Sequence, residues 1–142
     1  MKPGTFPRSI ARDSSHRSKS CPRSPREDGC WRLQPFEAES GGVVGGGTLH
    51  HLDSERKIVE IGYFVLPHAR RRGFATTIAR LLSVHAFTLG IERVAAYVNV
   101  GNTASERVAE RAGFTREGVV RSMPKPDGRR VDKTLFSLLP GE

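Results

Sequence analysis

The chain has only two cysteines, Cys21 and Cys30, both in a polar stretch near its start. No disulfide framework can staple a fold from them, nothing points to an oxidising compartment, and both thiols are read as free. Aromatic side chains are also few, with one Trp, two Tyr and seven Phe. None of them interleaves with a basic cluster and no recognition motif appears, so specific nucleic-acid binding is not expected. Long apolar runs are missing as well: the longest, Ile58 to Pro67, carries Glu60 and is too short to span a bilayer. The N-terminus lacks the apolar segment of a secretion signal, and a soluble cytoplasmic chain without membrane association is the expectation. His50, His51, His68 and His85 show no metal-ligand spacing with carboxylates or cysteines, so no metal is expected. Neither a nucleophile elbow nor a pair of catalytic carboxylates is present.

What is there suffices for one domain with a modest core, at 142 residues and 37% hydrophobic content. The first thirty residues hold seven Lys+Arg against three Asp+Glu, which is half of the net charge of +8. They are rich in Ser, Pro and Arg and nearly devoid of branched or aromatic side chains. Such a segment cannot bury enough apolar surface to offset the entropy of ordering it. Residues 1–30 are therefore read as a disordered basic leader and residues 31–142 as the folded domain.

Within that domain, Leu33, Phe36 and Ala38 suggest a short strand, Ser40-Gly41-Gly42 a hairpin turn, and Val43 to Leu49 a second strand. Gly45 to Gly47 weaken the second strand and mark a bulge on this reading. A third strand runs from Lys57 to Leu66 and stops at Pro67. The spacing of Ile78, Leu81, Leu82, His85, Ala86 and Leu89 predicts a helix with one core-facing stripe, closed by Gly90. Arg93 to Val100 reads as a strand, and a crossover of this length favours parallel, right-handed pairing with the strand before the helix. Asn102 is a good N-cap for a helix from Thr103 to Ala112, and Gly113 suits its C-terminal cap. Two final strands, Phe114 to Arg121 and Val131 to Leu139, flank a Pro-Asp-Gly turn at Pro126 to Gly128.

Between the third strand and the first helix lies Arg70-Arg71-Arg72-Gly73-Phe74-Ala75. A helix begins with peptide N–H groups that lack an internal partner, and its dipole places roughly half a positive charge there, so a basic glycine-containing turn at that point suits a phosphate. Gly73 lets oxygens approach the backbone. A solvated basic turn is the plain alternative.

This turn resembles the pyrophosphate-binding turn of the GNAT superfamily of acyl-CoA-dependent N-acetyltransferases, and the matching continues on both sides. Val59-Glu60-Ile61-Gly62-Tyr63 is similar to the family's fourth strand, and Gly101-Asn102-Thr103-Ala104-Ser105 with Ala112-Gly113-Phe114 to its last helix. The resemblance covers Phe36 to Glu142 and is closest to the branch that acetylates protein N-termini, including those of ribosomal proteins. It implies an α+β fold with a mixed, mostly antiparallel sheet, a parallel strand-helix-strand crossover and helices on both faces. It also implies transfer of acetyl from acetyl-CoA, as donor substrate, to a primary amine. A protein N-terminus is the first reading of the acceptor, an aminoglycoside or polyamine-like small amine the second, and a non-catalytic acyl-CoA-binding domain the rival. A homodimer is compatible with all three. In the family pattern a first strand and two helices precede the segment that begins at Phe36. The leader stands in their place here, so the expectation is an acceptor side that is truncated or completed by another chain.

The resemblance assigns the pyrophosphate to peptide N–H groups of Arg71, Arg72, Gly73, Phe74, Ala75 and Thr76, with the Arg70, Arg71 and Arg72 side chains adding affinity. It assigns the pantetheine arm to main-chain groups of Tyr63, Phe64 and Val65 along a V between the fourth and fifth strands, with the Val65 N–H polarising the thioester carbonyl. Asn102 faces the CoA arm in the family and is equally a plain N-cap. Relatives often place a tyrosine seven residues after that asparagine as general acid. Here Ala109 occupies the position, leaving Ser105, or bulk water, to protonate the thiolate. Glu60 is the candidate base, because an acid in an otherwise apolar strand has its pKa raised, and an exposed edge position is its plain alternative.

Overall fold

The computed structural model describes residues 30–33, 41–53 and 55–142. The expected leader, the strand residues Phe36 and Ala38, and Ser40 of the expected turn lie outside the described residues, except that Cys30 belongs to the first strand rather than to the leader. The element order is β1 (Cys30–Leu33), β2 (Gly45–Asp53), β3 (Ile58–Val65), a 3₁₀ turn (Pro67–Ala69), α1 (Phe74–Thr88), β4 (Arg93–Asn99), α2 (Thr103–Arg111), β5 (Thr115–Pro124) and β6 (Arg130–Leu138). The six described strands form one sheet in the order β1-β2-β3-β4-β6-β5. Among the described residues only the β3–β4 pair is parallel, and the other four are antiparallel. The last hairpin therefore folds back so that β6, not β5, meets β4.

Strand periodicity decides which side of the sheet is apolar. Leu49, Val59, Ile61, Val94, Ala96, Val98, Phe136 and Leu138 share one face and pack with Ile78, Leu82 and Ala86 of α1 and Ala109 of α2 in a single core. The register puts Tyr63 and Gly47 on that face too, since Gly47 pairs with Tyr63 and Leu49 with Ile61. Among the described residues both helices cover this one face, whereas helices were expected on both. The opposite face carries a row, His50, Glu60, Ala95 and Ser137, aligned across β2, β3, β4 and β6.

The three glycines of β2 are not a bulge. Gly45, Gly46 and Gly47 pair in regular register with Val65, Phe64 and Tyr63, and the irregularity falls later, between His51 and Asp53. Gly47 is there for room: a Cβ would overlap methyl groups of Leu82 and Ile78 on α1. Overpacking a filled core costs about 1–3 kcal/mol, so Gly47→Ala is expected to lower the thermal midpoint by roughly 3–10 °C. An unchanged midpoint in a calorimetric scan would mean that α1 can withdraw from β2 without loss.

On the opposite face, Arg93 of β4 donates both guanidinium N–H groups to Glu117 of β5, each at 2.8 Å, across the intervening β6. Ser137 of β6 donates its hydroxyl to the same carboxylate. Chiefly the Arg93 bonds, then that of Ser137, hold the Glu117 carboxyl down at about 2. Because this pKa lies below the ordinary 4.5, the stabilisation is complete above about pH 4.5 and is lost as pH falls toward 2. The Glu117 side chain is 37% exposed, so solvent screening limits the effect to about 1 kcal/mol. The urea midpoints of wild type and Glu117→Gln are therefore expected to differ at pH 6, to approach each other below pH 4.5, and to converge only once the pH is below about 2.

Candidate active site between strands β3 and β4

Parallel pairing of β3 with β4 covers only Ile58 with Arg93, Val59 with Val94 and Glu60 with Ala95. Beyond that point each strand keeps its antiparallel neighbour on the far side and loses the other. Leu66 N–H donates to the Val44 carbonyl at 2.8 Å, extending the β2–β3 ladder, and Val100 N–H donates to Asp132 at 3.1 Å, extending the β4–β6 ladder. The two strands thus splay into a V with Glu60 at its apex.

Alternation along an antiparallel ladder states which peptide groups line this V. With Leu66 turned toward β2, Phe64 and Gly62 are turned the same way, while Tyr63 and Val65 direct their N–H and C=O groups into the opening. Equivalent counting from Val100 turns Tyr97 and Asn99 of β4 into it from the other side. Of the expected trio, Phe64 therefore brings no main-chain group to the V; its side chain is 53% exposed, on the face opposite the helices.

At the end of β3 the chain makes the 3₁₀ turn and enters α1. Arg71 and Gly73 both have left-handed backbone, with φ of 63° and 80°. Gly73 is the N-cap of α1, so the helix starts at Phe74. Thr77 N–H is the first to find the intrahelical acceptor, the Gly73 carbonyl at 3.1 Å, so the N–H groups of Phe74, Ala75 and Thr76 project beyond the helix end without one. Around them stand Arg70, whose Nε donates to the Val65 carbonyl at 3.4 Å, and Arg72, whose guanidinium lies 5.1 Å from the centre of the Phe74 ring. Arg70, Arg71 and Arg72 are all exposed. The turn, the dipole and three cations together make an electropositive rim beside the V.

On the other arm, Asn102 accepts from the Ser105 N–H through Oδ1 at 3.2 Å and caps α2, the plain role expected of it. Ser105 is half-buried, and the Tyr63 hydroxyl reaches it from β3, 3.2 Å from its carbonyl and 3.3 Å from its Oγ. Burial pushes the Tyr63 phenol above its ordinary value, only partly offset by the Ser105 hydrogen bond. Ala109 is wholly inside the core.

Glu60 is half-buried, not an exposed edge residue, and desolvation raises its pKa against the smaller opposing influence of Lys133 and then His50. It points to the face opposite Tyr63 and Ser105. The two expected catalytic groups are thus on the two sides of the V, not in contact. Sequence reasoning did not anticipate the Tyr63 hydroxyl, or Lys133 and His50 as the charges around Glu60. His50 lies in β2, which runs on to Asp53 rather than ending at Leu49, and a partner 42 or 73 positions away has no local signal. Among the described residues no three His, Cys, Asp or Glu side chains converge as metal ligands, and no helix is long and apolar enough to cross a membrane.

A family model described as "Acetyltransferase (GNAT) domain" matches residues 3–115, a span that starts within the segment read as a leader. The chain is 37% identical over 103 residues to "Putative ribosomal N-acetyltransferase YdaF" of Bacillus subtilis (strain 168), covering 72% of this chain and 56% of that one. It is 33% identical over 98 residues to "Uncharacterized N-acetyltransferase YoaA" of the same organism, covering 68% and 55%. It thus spans little more than half the length of these curated relatives. Among solved structures it superposes on a "putative ribosomal-protein-serine acetyltransferase" from Vibrio cholerae with a TM-score of 0.72 at 21% identity, covering 78% of this chain and 64% of the other. A mutant of spermidine N-acetyltransferase SpeG from Vibrio cholerae gives 0.70 at 22%, covering 80% and 68%. At such identities these two likenesses concern the fold.

Proposed function

The chain belongs to the GNAT acetyltransferase family, and on that premise we propose that it transfers acetyl from acetyl-CoA to a primary amine, with a protein N-terminus as the acceptor class. The observation that carries this reading is the V between β3 and β4 with the N-terminus of α1 at its rim. A pyrophosphate there meets the N–H groups of Phe74, Ala75 and Thr76 and the positive end of the helix dipole, with Arg70, Arg71 and Arg72 around it. The pantetheine arm runs along β3 as an added strand, pairing with Tyr63 and Val65. The Val65 N–H donates to the thioester carbonyl oxygen and stabilises the negative charge that grows on it as the amine attacks. Glu60 takes the amine proton, and the collapsing intermediate expels a thiolate that is protonated from the Ser105 side. Asn102 supports the site by holding the first turn of α2.

Support for an acceptor of ribosomal type comes from the 37% identical relative, a putative ribosomal N-acetyltransferase. A polyamine or other small amine is favoured only by likeness of fold to SpeG, which does not discriminate. Calorimetric titration with acetyl-CoA, followed by thiol release with a free-N-terminus peptide, an aminoglycoside and spermidine, tests the reading. Binding with thiol release on the peptide is the expected result. Release on spermidine alone would move the acceptor to small amines, and binding without release on any amine would make the chain an acyl-CoA-binding domain.

A further inference from the structure

We infer that Tyr63 supplies the proton that Ser105 passes to the departing thiolate, so that the two hydroxyls act as one relay; this rests on the acetyl-transfer reading above. Three observations lead there. The Tyr63 oxygen is within hydrogen-bond distance of two acceptors on the same residue, the Ser105 carbonyl at 3.2 Å and Oγ at 3.3 Å. A phenol has one proton, and the carbonyl can only accept. At rest Tyr63 donates to the carbonyl, and Ser105 Oγ is then the donor in its contact with the phenol oxygen. Once Oγ gives its own proton away it becomes the stronger acceptor, and the phenolic proton needs only a small rotation to reach it.

The second observation is acidity. An ordinary thiol ionises near 8.5 and a tyrosine near 10, whereas an aliphatic hydroxyl is a far weaker acid, so of the two groups Tyr63 is much the better matched to a thiolate. Burial keeps it protonated at working pH. The third is topology. Tyr63 and Ser105 stand on the helix side of the V and Glu60 on the other, so the group that receives the amine proton and the groups that give one to sulfur flank the thioester without short-circuiting each other. The N–C bond forms, the C–S bond breaks with its electron pair on sulfur, and the amine proton goes to Glu60. The Ser105 proton goes to sulfur, the Tyr63 proton to Ser105 Oγ, and solvent carries the proton released by Glu60 back to the tyrosinate.

Tyr63→Phe removes one oxygen and keeps the ring. The expected result, measured as thiol release from acetyl-CoA, is a kcat lowered about tenfold to a hundredfold with the acetyl-CoA dissociation constant unchanged. The loss should grow with pH, because a thiolate left to water is protonated less readily in base. Ser105→Ala should lose a similar amount, and the double variant no more than either single one, because a relay broken once is broken. Independent, multiplying losses would overturn the relay, as would a Tyr63→Phe rate equal to wild type. A change confined to acetyl-CoA affinity or thermal midpoint would make Tyr63 a structural contact and overturn it too. A wild-type chain that binds acetyl-CoA and releases no thiol with any amine overturns the transfer reading and the relay with it, an outcome distinct from loss of the relay alone.

Discussion

Glu60→Gln is expected to slow acetyl transfer at neutral pH by about a hundredfold to ten-thousandfold, the range of a general base, while leaving acetyl-CoA affinity nearly unchanged. A base acts on the amine and not on the nucleotide, so the effect belongs in kcat. Desolvation at the apex of the V raises the Glu60 pKa, and only the ionised form accepts a proton. The wild-type rate should therefore fall on the acid side at a pH above the ordinary carboxylate range. Lys133 opposes that rise, so Lys133→Met is expected to move the acid limb further up, with His50→Ala moving it by less. The deficit of Glu60→Gln should shrink as pH approaches the acceptor's own pKa, because more of the amine arrives already deprotonated. A pH–rate profile of the four proteins checks all of this, and an unchanged Glu60→Gln rate throughout would assign the base to a bound water or another group.

The second large effect is expected on binding. Gly73→Val should weaken acetyl-CoA by about a hundredfold, and Arg71→Ala by less than about tenfold, as read by calorimetry. The difference comes from the backbone. Nothing stands within 4 Å of a Cβ built on Gly73, so crowding within the protein is not the obstacle. The obstacle is its φ of 80°, a conformation in which a β-branched residue is strained by about 1–3 kcal/mol, and whose loss turns the Phe74, Ala75 and Thr76 N–H groups away from a common point. Each charge-assisted bond so lost is worth about 1.5–3 kcal/mol, while an exposed arginine contributes chiefly screened attraction. Arg71 is itself left-handed at 63°, so Arg71→Gly is expected to keep more affinity than Arg71→Ala. Equal affinities of wild type and Gly73→Val would remove the turn as the phosphate site.

What the amino-acid order determined by itself is local. The stripe Ile78, Leu82 and Ala86 specifies α1 and its buried side, because helical spacing brings those side chains together whatever else the chain does. Asn102 and Gly113 delimit α2, since a side-chain cap and a left-handed φ of 98° are requirements of the helix ends alone. The basic turn at α1 was legible for the same reason: strand, glycine and helix are consecutive. Tertiary structure decided what depends on distant neighbours. It placed β6 between β4 and β5, put both described helices on one face, and reserved the Gly47 site for the methyls of α1 rather than for a bulge. It made Glu60 a half-buried acid between His50 and Lys133, and set the Tyr63 hydroxyl on Ser105, 42 residues away. Cross-strand register and helix docking create these contacts, and their free energy depends on the whole packed sheet, so no window of neighbouring residues contains it.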